Sequence, residues 1–389
     1  MANIPNTKAK GFAMRAWLPT RQKANIVMKV LVTGGAGFIG SALVRRLLAS
    51  GVFRVVNVDA LTYAACPAAL GSLSDIPGYA FEQVDICDQP ALEAVFEQHR
   101  PDAVIHAAAE SHVDRSIGGP AGFVQTNLVG TFTLLEVARA YWSGLDQAAR
   151  SRFRFLQVST DEVFGELTEG QEATVEGASY SPNSPYAATK AGADHLARAW
   201  FRTYGFPVMI SHSANNYGPF QFPEKLIPLM TLNALHGLPL PVYGEGQQIR
   251  DWLYVDDHAE GLVRILEHGK PGQSYNLAGG DERRNLEVVE ALCEQLEELA
   301  PQGRAARSAG GPGYMSLVQS VADRPGHDFR YAMDAGRARD ELGWLPAETF
   351  HSGLQKTLAW YVANVGRWEK DGKGGWRYRR DVGLSSACE

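Results

Sequence analysis

Thr33-Gly34-Gly35-Ala36-Gly37-Phe38-Ile39-Gly40 follows a short β-rich run at 29–33 and opens an amphipathic stretch at 39–49. Glycines at Gly34, Gly37 and Gly40 let the backbone turn tightly and approach a pyrophosphate, and the helix behind them offers free N–H groups and a positive dipole end. A second β-rich run at 54–59 completes a βαβ unit and ends on Asp59, about 20 residues on, where a carboxylate accepts ribose hydroxyls and repels a 2′-phosphate. Gly-rich turns are common; the full context is what points to a dinucleotide, and the acid selects NAD over NADP. Asp85 and Ile86 after a third strand would flank the adenine. Ala107, Ala108 and Ala109 after a fourth would let the cofactor lie close to the backbone.

Short buried-type runs at 81–84, 103–106, 153–159 and 208–211 alternate with helical patterns such as 90–98 and 123–141. Such alternation predicts an α/β fold, a Rossmann-type doubly wound parallel sheet. Beyond residue 214 the pattern loosens into Pro- and Gly-rich segments with helices such as 286–299, which predicts a smaller mixed α/β C-terminal substrate domain. The expected division is a cofactor domain at 28–214 to which 251–276 returns, a substrate domain at 215–250 and 277–365, and a patternless tail at 366–389. Residues 1–27 carry five basic residues, no acid and no apolar periodicity, and read as a disordered extension; a transit peptide fits less well, because the segment has no Ser.

With 389 residues, 43 acids against 37 bases and a pI near 6.0, no global field favours nucleic acid or an anionic membrane. Cys66, Cys87, Cys293 and Cys388 are scattered, so neither a disulfide framework nor a metal site is expected, and no apolar run is long enough to span a bilayer. A cytoplasmic protein is the expectation.

Tyr186-Ala187-Ala188-Thr189-Lys190 puts a phenol and an ammonium four residues apart, on one face of a helix, and Ser159-Thr160 closes the preceding strand. A free Tyr with pKa of about 10 is roughly 0.1% phenolate at neutral pH, so a nearby cation and a hydroxyl donor must supply about 4 kcal/mol to bring it near neutrality. A phenolate so tuned takes a proton from a sugar hydroxyl while hydride leaves the carbon for NAD.

From Met28 to about Val365 the chain resembles the extended short-chain dehydrogenase/reductase family, and within it the nucleotide-sugar 4,6-dehydratases. The likeness is carried by Ala108-Ala109-Glu110-Ser111-His112-Val113-Asp114-Arg115-Ser116, Ser159-Thr160-Asp161-Glu162-Val163-Phe164-Gly165, Asn215-Asn216-Tyr217-Gly218-Pro219, Arg250-Asp251-Trp252-Leu253-Tyr254-Val255 and Asp323-Arg324-Pro325-Gly326-His327-Asp328. The resemblance implies Thr160, Asp161, Glu162, Tyr186 and Lys190 as the catalytic set, Asp161 as acid and Glu162 as base. Oxidation at C4 of a hexose acidifies the C5 proton, so a carboxylate can remove it while a carboxylic acid protonates the departing C6 hydroxyl. Epimerases on the same fold have no need of this pair.

By the same resemblance Phe38, Ile39, Asp59, Ala60, Leu61, Thr62, Asp85, Ile86, Thr126 and Asn216 would join the glycines, Tyr186 and Lys190 around NAD. Ser111 and Thr160 would touch glucose. Asn215, Lys225, Leu226, Arg250, Asn285 and Asp323, Arg324, Pro325, Gly326 and His327 would hold the nucleoside diphosphate, with Pro241, Val242 and Tyr243 at the base. Arg250 and Lys225 are also cations suited to two phosphates on chemical grounds. The implied substrate is dTDP-glucose and the implied assembly a homodimer pairing helices 123–141 and 185–202; another nucleotide sugar, UDP- or CDP-glucose, or an idle NAD-binding regulator are the alternatives. Ala65-Cys66 stands where the family usually has Gly-Asn, and Phe164 where it has Tyr.

Overall fold

The computed structural model describes residues 27–71, 73, 76–301, 313–372 and 375–379. The expected extension before Val27, the Gly/Ala/Pro-rich stretch 302–312 and residues 380–389 lie outside the described residues.

Seven strands form one parallel sheet: β1 (Met28–Thr33), β2 (Phe53–Val58), β3 (Tyr79–Glu82), β4 (Ala103–His106), β5 (Arg154–Thr160), β6 (Val208–Ser213) and, much later in the chain, Ser274–Leu277. The order is Ser274–Leu277, β6, β5, β4, β1, β2, β3, so it reverses between β1 and β4. Such a reversal opens a crevice at the carboxyl ends of the two strands, and ligands bind there.

Both faces of the sheet are covered, as the alternation of β1 requires. Val30 and Val32 pack with Leu43, Val44 and Leu47 of the helix Phe38–Ala49 and with Leu262, Val263 and Leu266 of the helix Val255–His268. Leu31 packs on the other face with Leu92 and Phe96 of the helix Gln89–His99, Leu134 and Leu135 of the helix Thr131–Ser143, and Trp200 of the helix Pro185–Tyr204. Local chemistry starts these helices where the sequence suggests. Asp88 accepts from the Ala91 N–H, and Ser184, followed by Pro185, accepts from the Ala187 N–H.

The return to this sheet differs from the expected 251–276. Residues Ile249–Tyr254 pair instead with Asn215–Tyr217 and Glu282–Arg284 in a separate three-stranded sheet, while the helix Val255–His268 and the strand Ser274–Leu277 join the large one. Met333 to Trp344, expected in the substrate part, also pack on the main core, because the Trp344 indole donates to the Asp257 carbonyl at 3.0 Å. The remaining smaller part gathers the helices Leu226–Leu235, Asn285–Leu299 and Phe350–Ala363 around Tyr217, Trp252 and Tyr254, with Leu240–Tyr243 paired to Val318–Val321.

Two segments differ from the sequence reading. The single helix expected at 123–141 carries a π-helical turn, Val124–Gly130, before Thr131–Ser143. And the described part of the expected patternless tail is a hairpin, Trp368–Lys370 against Trp376–Tyr378, docked on Leu232 and Tyr361. Both Trp368 and Trp376 are buried, and the Trp376 indole donates to Asn233 Oδ1 at 3.0 Å. Two tryptophans bury enough apolar area to hold a segment with no strand periodicity. No described helix is long and apolar enough to cross a membrane.

Candidate active site

At the end of β1 the chain makes the turn the glycines demand. Gly34 sits at φ +72°, and a Cβ on it would stand 2.6 Å from the Ala108 Cα, so the loops after β1 and β4 touch through backbone alone. No side chain caps the helix that starts at Phe38, which leaves its first N–H groups to a ligand. Asp59 follows β2: its Oδ2 accepts from the Ala36 N–H at 2.8 Å and its Oδ1 from the Leu61 N–H at 2.7 Å. Each oxygen keeps a further lone pair. These features fit a dinucleotide.

The loop carrying Ala60, Leu61 and Thr62 is pinned despite its departure from the family, because the Cys66 N–H donates to the Ala36 carbonyl at 2.8 Å and the Cys66 side chain is buried. Asp85 accepts from the Cys87 N–H, and Ile86 is buried against Gly130. Thr126 lies in the π-helical turn, and Asn216 bonds His258 and the Ala214 carbonyl.

The second part of the site gathers at the end of β5. Thr160 leaves the strand and its Oγ1 accepts from the Glu162 N–H at 3.3 Å, starting the short turn Asp161–Phe164. That turn places Asp161 and Glu162 beside the start of the helix Pro185–Tyr204, whose Tyr186 and Lys190 are buried, at 9% and 4% exposure. Lys190 Nζ donates to the Val158 carbonyl at 2.7 Å. That bond directs the ammonium toward the end of β5. Burial and then Glu162 push Tyr186 well above its ordinary value, and a hydrogen bond with Thr160 works the other way.

The adjacent acids are held differently. Asp161 is 4% exposed and its Oδ2 has no hydrogen-bond partner; burial, then the neighbouring Glu162, push it up to about 8. Glu162 is also raised by burial, but Lys225, Arg250 and Arg324 all draw it down. Two acids thus sit side by side, Asp161 held high by burial and by its neighbour, Glu162 raised by burial against the pull of three cations.

Of the residues expected around the nucleotide, Lys225, Arg250 and Arg324 reach the neighbourhood of Glu162. Lys225 Nζ donates to the Ser111 carbonyl at 2.6 Å, and Leu226 opens its helix. Arg250 is buried as a strut: its guanidinium donates to the carbonyls of Ile249, Asp328 and Phe329 and lies 4.4 Å from the Tyr331 ring centroid. Asp323 accepts from His327 and Gln248, and Arg324 pairs with Asp114, which also accepts from the Tyr243 hydroxyl at 3.0 Å. Gly326 takes φ +64° after Pro325. Pro241 and Val242 lie with Tyr243 in the strand paired to Val318–Val321, Asn215 begins its strand, and the Asn285 N–H donates to the Gln248 carbonyl.

Asn127 escapes sequence reasoning. From the π-helical turn its amide accepts from the Glu110 N–H and donates both to the Glu110 carbonyl and to Thr189 Oγ1 at 3.0 Å. It thereby ties the loop before Ser111 to the helix of Tyr186. Its partners lie 17 and 62 residues away, and no local signal marks it.

Residues 31–357 match the model of the GDP-mannose 4,6 dehydratase family. The chain belongs to that family. Among curated relatives it is similar to the dTDP-glucose 4,6-dehydratase of Neisseria meningitidis serogroup B, at 56% identity over 352 residues, covering 90% of this chain and 98% of the relative. Among solved structures it is similar to the dTDP-glucose 4,6-dehydratase of Streptomyces venezuelae with NAD and dTDP bound: TM-score 0.79, 43% identity, 88% of this chain and 99% of that one. A Thermus thermophilus UDP-glucose 4-epimerase in complex with NAD shares the family fold at lower identity, 30%, with TM-score 0.73 over 86% of this chain and 99% of the other.

Proposed function

We infer that the chain is an NAD-dependent dTDP-glucose 4,6-dehydratase, converting dTDP-glucose to the 4-keto-6-deoxy sugar. The observation that carries this reading is the acid pair: Asp161, pushed up to about 8 by burial and by its neighbour, beside Glu162 under three cations, in one buried site with Tyr186 and Lys190. An epimerase has no use for two such groups. The identity to dehydratases, well above that to the epimerase, supports the same choice.

Bound NAD supplies the acceptor for hydride from C4 and its donor back to C6. The chain's own groups move the protons. Tyr186 Oη takes the proton of the C4 hydroxyl, and the Lys190 ammonium stabilises the resulting charge. Glu162 removes the acidified C5 proton, Asp161 gives its proton to the C6 hydroxyl as water leaves, and Glu162, its proton exchanged with solvent, protonates C5 when C6 takes up hydride. Gly34, Gly37 and Gly40, with Asp59 and Asn216, hold the dinucleotide; Lys225, Arg250 and Arg324 hold the diphosphate, and Tyr243 meets the base.

Incubation of the protein with dTDP-glucose in deuterated water, without added NAD, is expected to give a 4-keto-6-deoxy product with deuterium at C5. Absence of product, with NAD then supplied, overturns the reading; turnover of UDP- or CDP-glucose in its place moves the base specificity. We further infer a homodimer. Val124, Val129, Phe132 and Tyr204, exposed on the 124–143 segment and the helix Pro185–Tyr204, supply apolar surface for pairing these elements across two subunits. A monomer in sedimentation at micromolar concentration would overturn that assembly.

A further inference from the structure

The helix Pro185–Tyr204 carries a third ionisable residue on the face of Tyr186 and Lys190. Asp194 stands four residues past the lysine and is fully buried. Its Oδ2 accepts from Ser159 Oγ at 2.6 Å and from Tyr180 Oη at 3.0 Å. His212 Nε2, on β6, lies 3.6 Å from the same oxygen and 2.7 Å from Tyr180 Oη. Arg198 secures Tyr180 in turn, donating to its hydroxyl at 2.8 Å with the guanidinium 4.7 Å from the ring centroid. Asp194 Oδ1 has no hydrogen-bond partner.

A buried carboxylate with one orphan oxygen is costly unless a cation answers it. His212 faces the bonded oxygen at 3.6 Å, and the cation on the same helix face, four residues back, is Lys190. It is as buried as Asp161, and Asp194 is the charge that opposes the loss of its proton on burial. The end of β5 grips both side chains: Lys190 Nζ bonds the Val158 carbonyl, and the next residue, Ser159, bonds Asp194. Thr160, which hydrogen bonds the catalytic phenol, follows directly.

We propose that Asp194 is a positioning residue for the redox pair: clamped by Ser159 and Tyr180, its carboxylate is the buried counter-charge of Lys190 and fixes that ammonium against the end of β5. The inference rests on the dehydratase reading for what Lys190 does, and on geometry alone for what holds it. The ionisable groups facing the pair are Tyr186 and Arg198 on the same helix, Tyr180 before it, Asp161 and Glu162 after β5, His212 on β6 and His106 on β4. Asp194→Asn removes one charge from this set and keeps the shape.

The test uses full-length protein labelled with 13C at the lysine ε-carbons. The chain has ten lysines, few enough to resolve, and the Lys190 signal is the one lost in Lys190→Met. In Asp194→Asn the Lys190 titration midpoint is expected to fall by about one pH unit or more. With dTDP-glucose, kcat is expected to fall about 100-fold while KM stays within about threefold. In the Lys190→Met background, Asp194→Asn should cost nothing more, as groups acting through one another are non-additive.

An unmoved Lys190 titration, or losses that simply add, overturns the proposal and leaves Asp194 a packing residue. Should Asp194→Asn fail to fold, Tyr180→Phe keeps the carboxylate and removes one of its bonds; it should shift the same titration in the same direction by less, and no shift overturns the proposal equally. If the wild-type protein does not turn over dTDP-glucose, the functional reading fails, yet the lysine titration still decides the role of Asp194.

Discussion

Tyr186→Phe is expected to lower turnover of dTDP-glucose by about 1000-fold, within the range for loss of a positioned proton acceptor, with nucleotide-sugar binding retained. The ring still packs against Phe123, 6.4 Å between centroids, and the Tyr186 N–H still donates to Ser116 Oγ, so the helix start should keep its place. Only the hydroxyl is gone. Without it the C4 hydroxyl has no acceptor for its proton, and no NADH absorbance should develop when the variant is mixed with substrate. Rapid NADH formation would remove Tyr186 from the first step. The present geometry adds a condition. Burial and Glu162 raise the phenol, so its ionisation depends on the Thr160 bond and on whatever positive charge reaches it when both ligands are bound.

Glu162→Gln should fail one step later, and the two variants are told apart by the cofactor. Here C4 oxidation should proceed, NADH accumulate and persist, and the C5 deuterium incorporation expected of the wild type be absent; turnover should drop by about 100- to 10,000-fold. Undiminished exchange at C5 would sink Glu162 as the base. The neighbouring acid gives the pair its pH signature. Asp161 is pushed up to about 8 by burial and by Glu162, so it carries its proton at neutral pH and loses it as the solution becomes alkaline. A donor must be protonated to act, so kcat for elimination should fall as pH rises through about 8. Glu162→Gln takes away a neighbouring negative charge, and the residual activity should therefore hold to lower pH before Asp161 ionises and fall away there; a limb that does not move would separate the two residues.

Much of this site is legible from local signals. The glycine turn, Asp59 at the end of β2 and the Tyr186/Lys190 spacing each act within one βαβ unit or one helix, where sterics, dipole and periodicity decide the outcome. The strands at 28–33 and 103–106 follow for the same reason: their apolar runs are buried on both faces of a parallel sheet. The hairpin at Trp368 and Trp376 is not legible, because its order comes from contacts with Leu232 and Tyr361 and not from any alternation of its own. The π-helical turn that presents Asn127 is equally silent, since a helical period of apolar residues continues through it.

What the sequence by itself determined is the type of fold, the dinucleotide turn and the residue kinds at the reacting centre, because these depend on neighbours within a few turns of chain. What only the tertiary structure decided is the electrostatic state of that centre. Asp161 lies high because distant segments bury it beside Glu162, Glu162 is raised by burial against the pull of Lys225, Arg250 and Arg324 from the smaller part of the molecule, and Lys190 feels the charge of Asp194, which Tyr180 and Ser159 hold in place. Desolvation and charge act through space, and the chain that covers a group is named nowhere in the residues beside it.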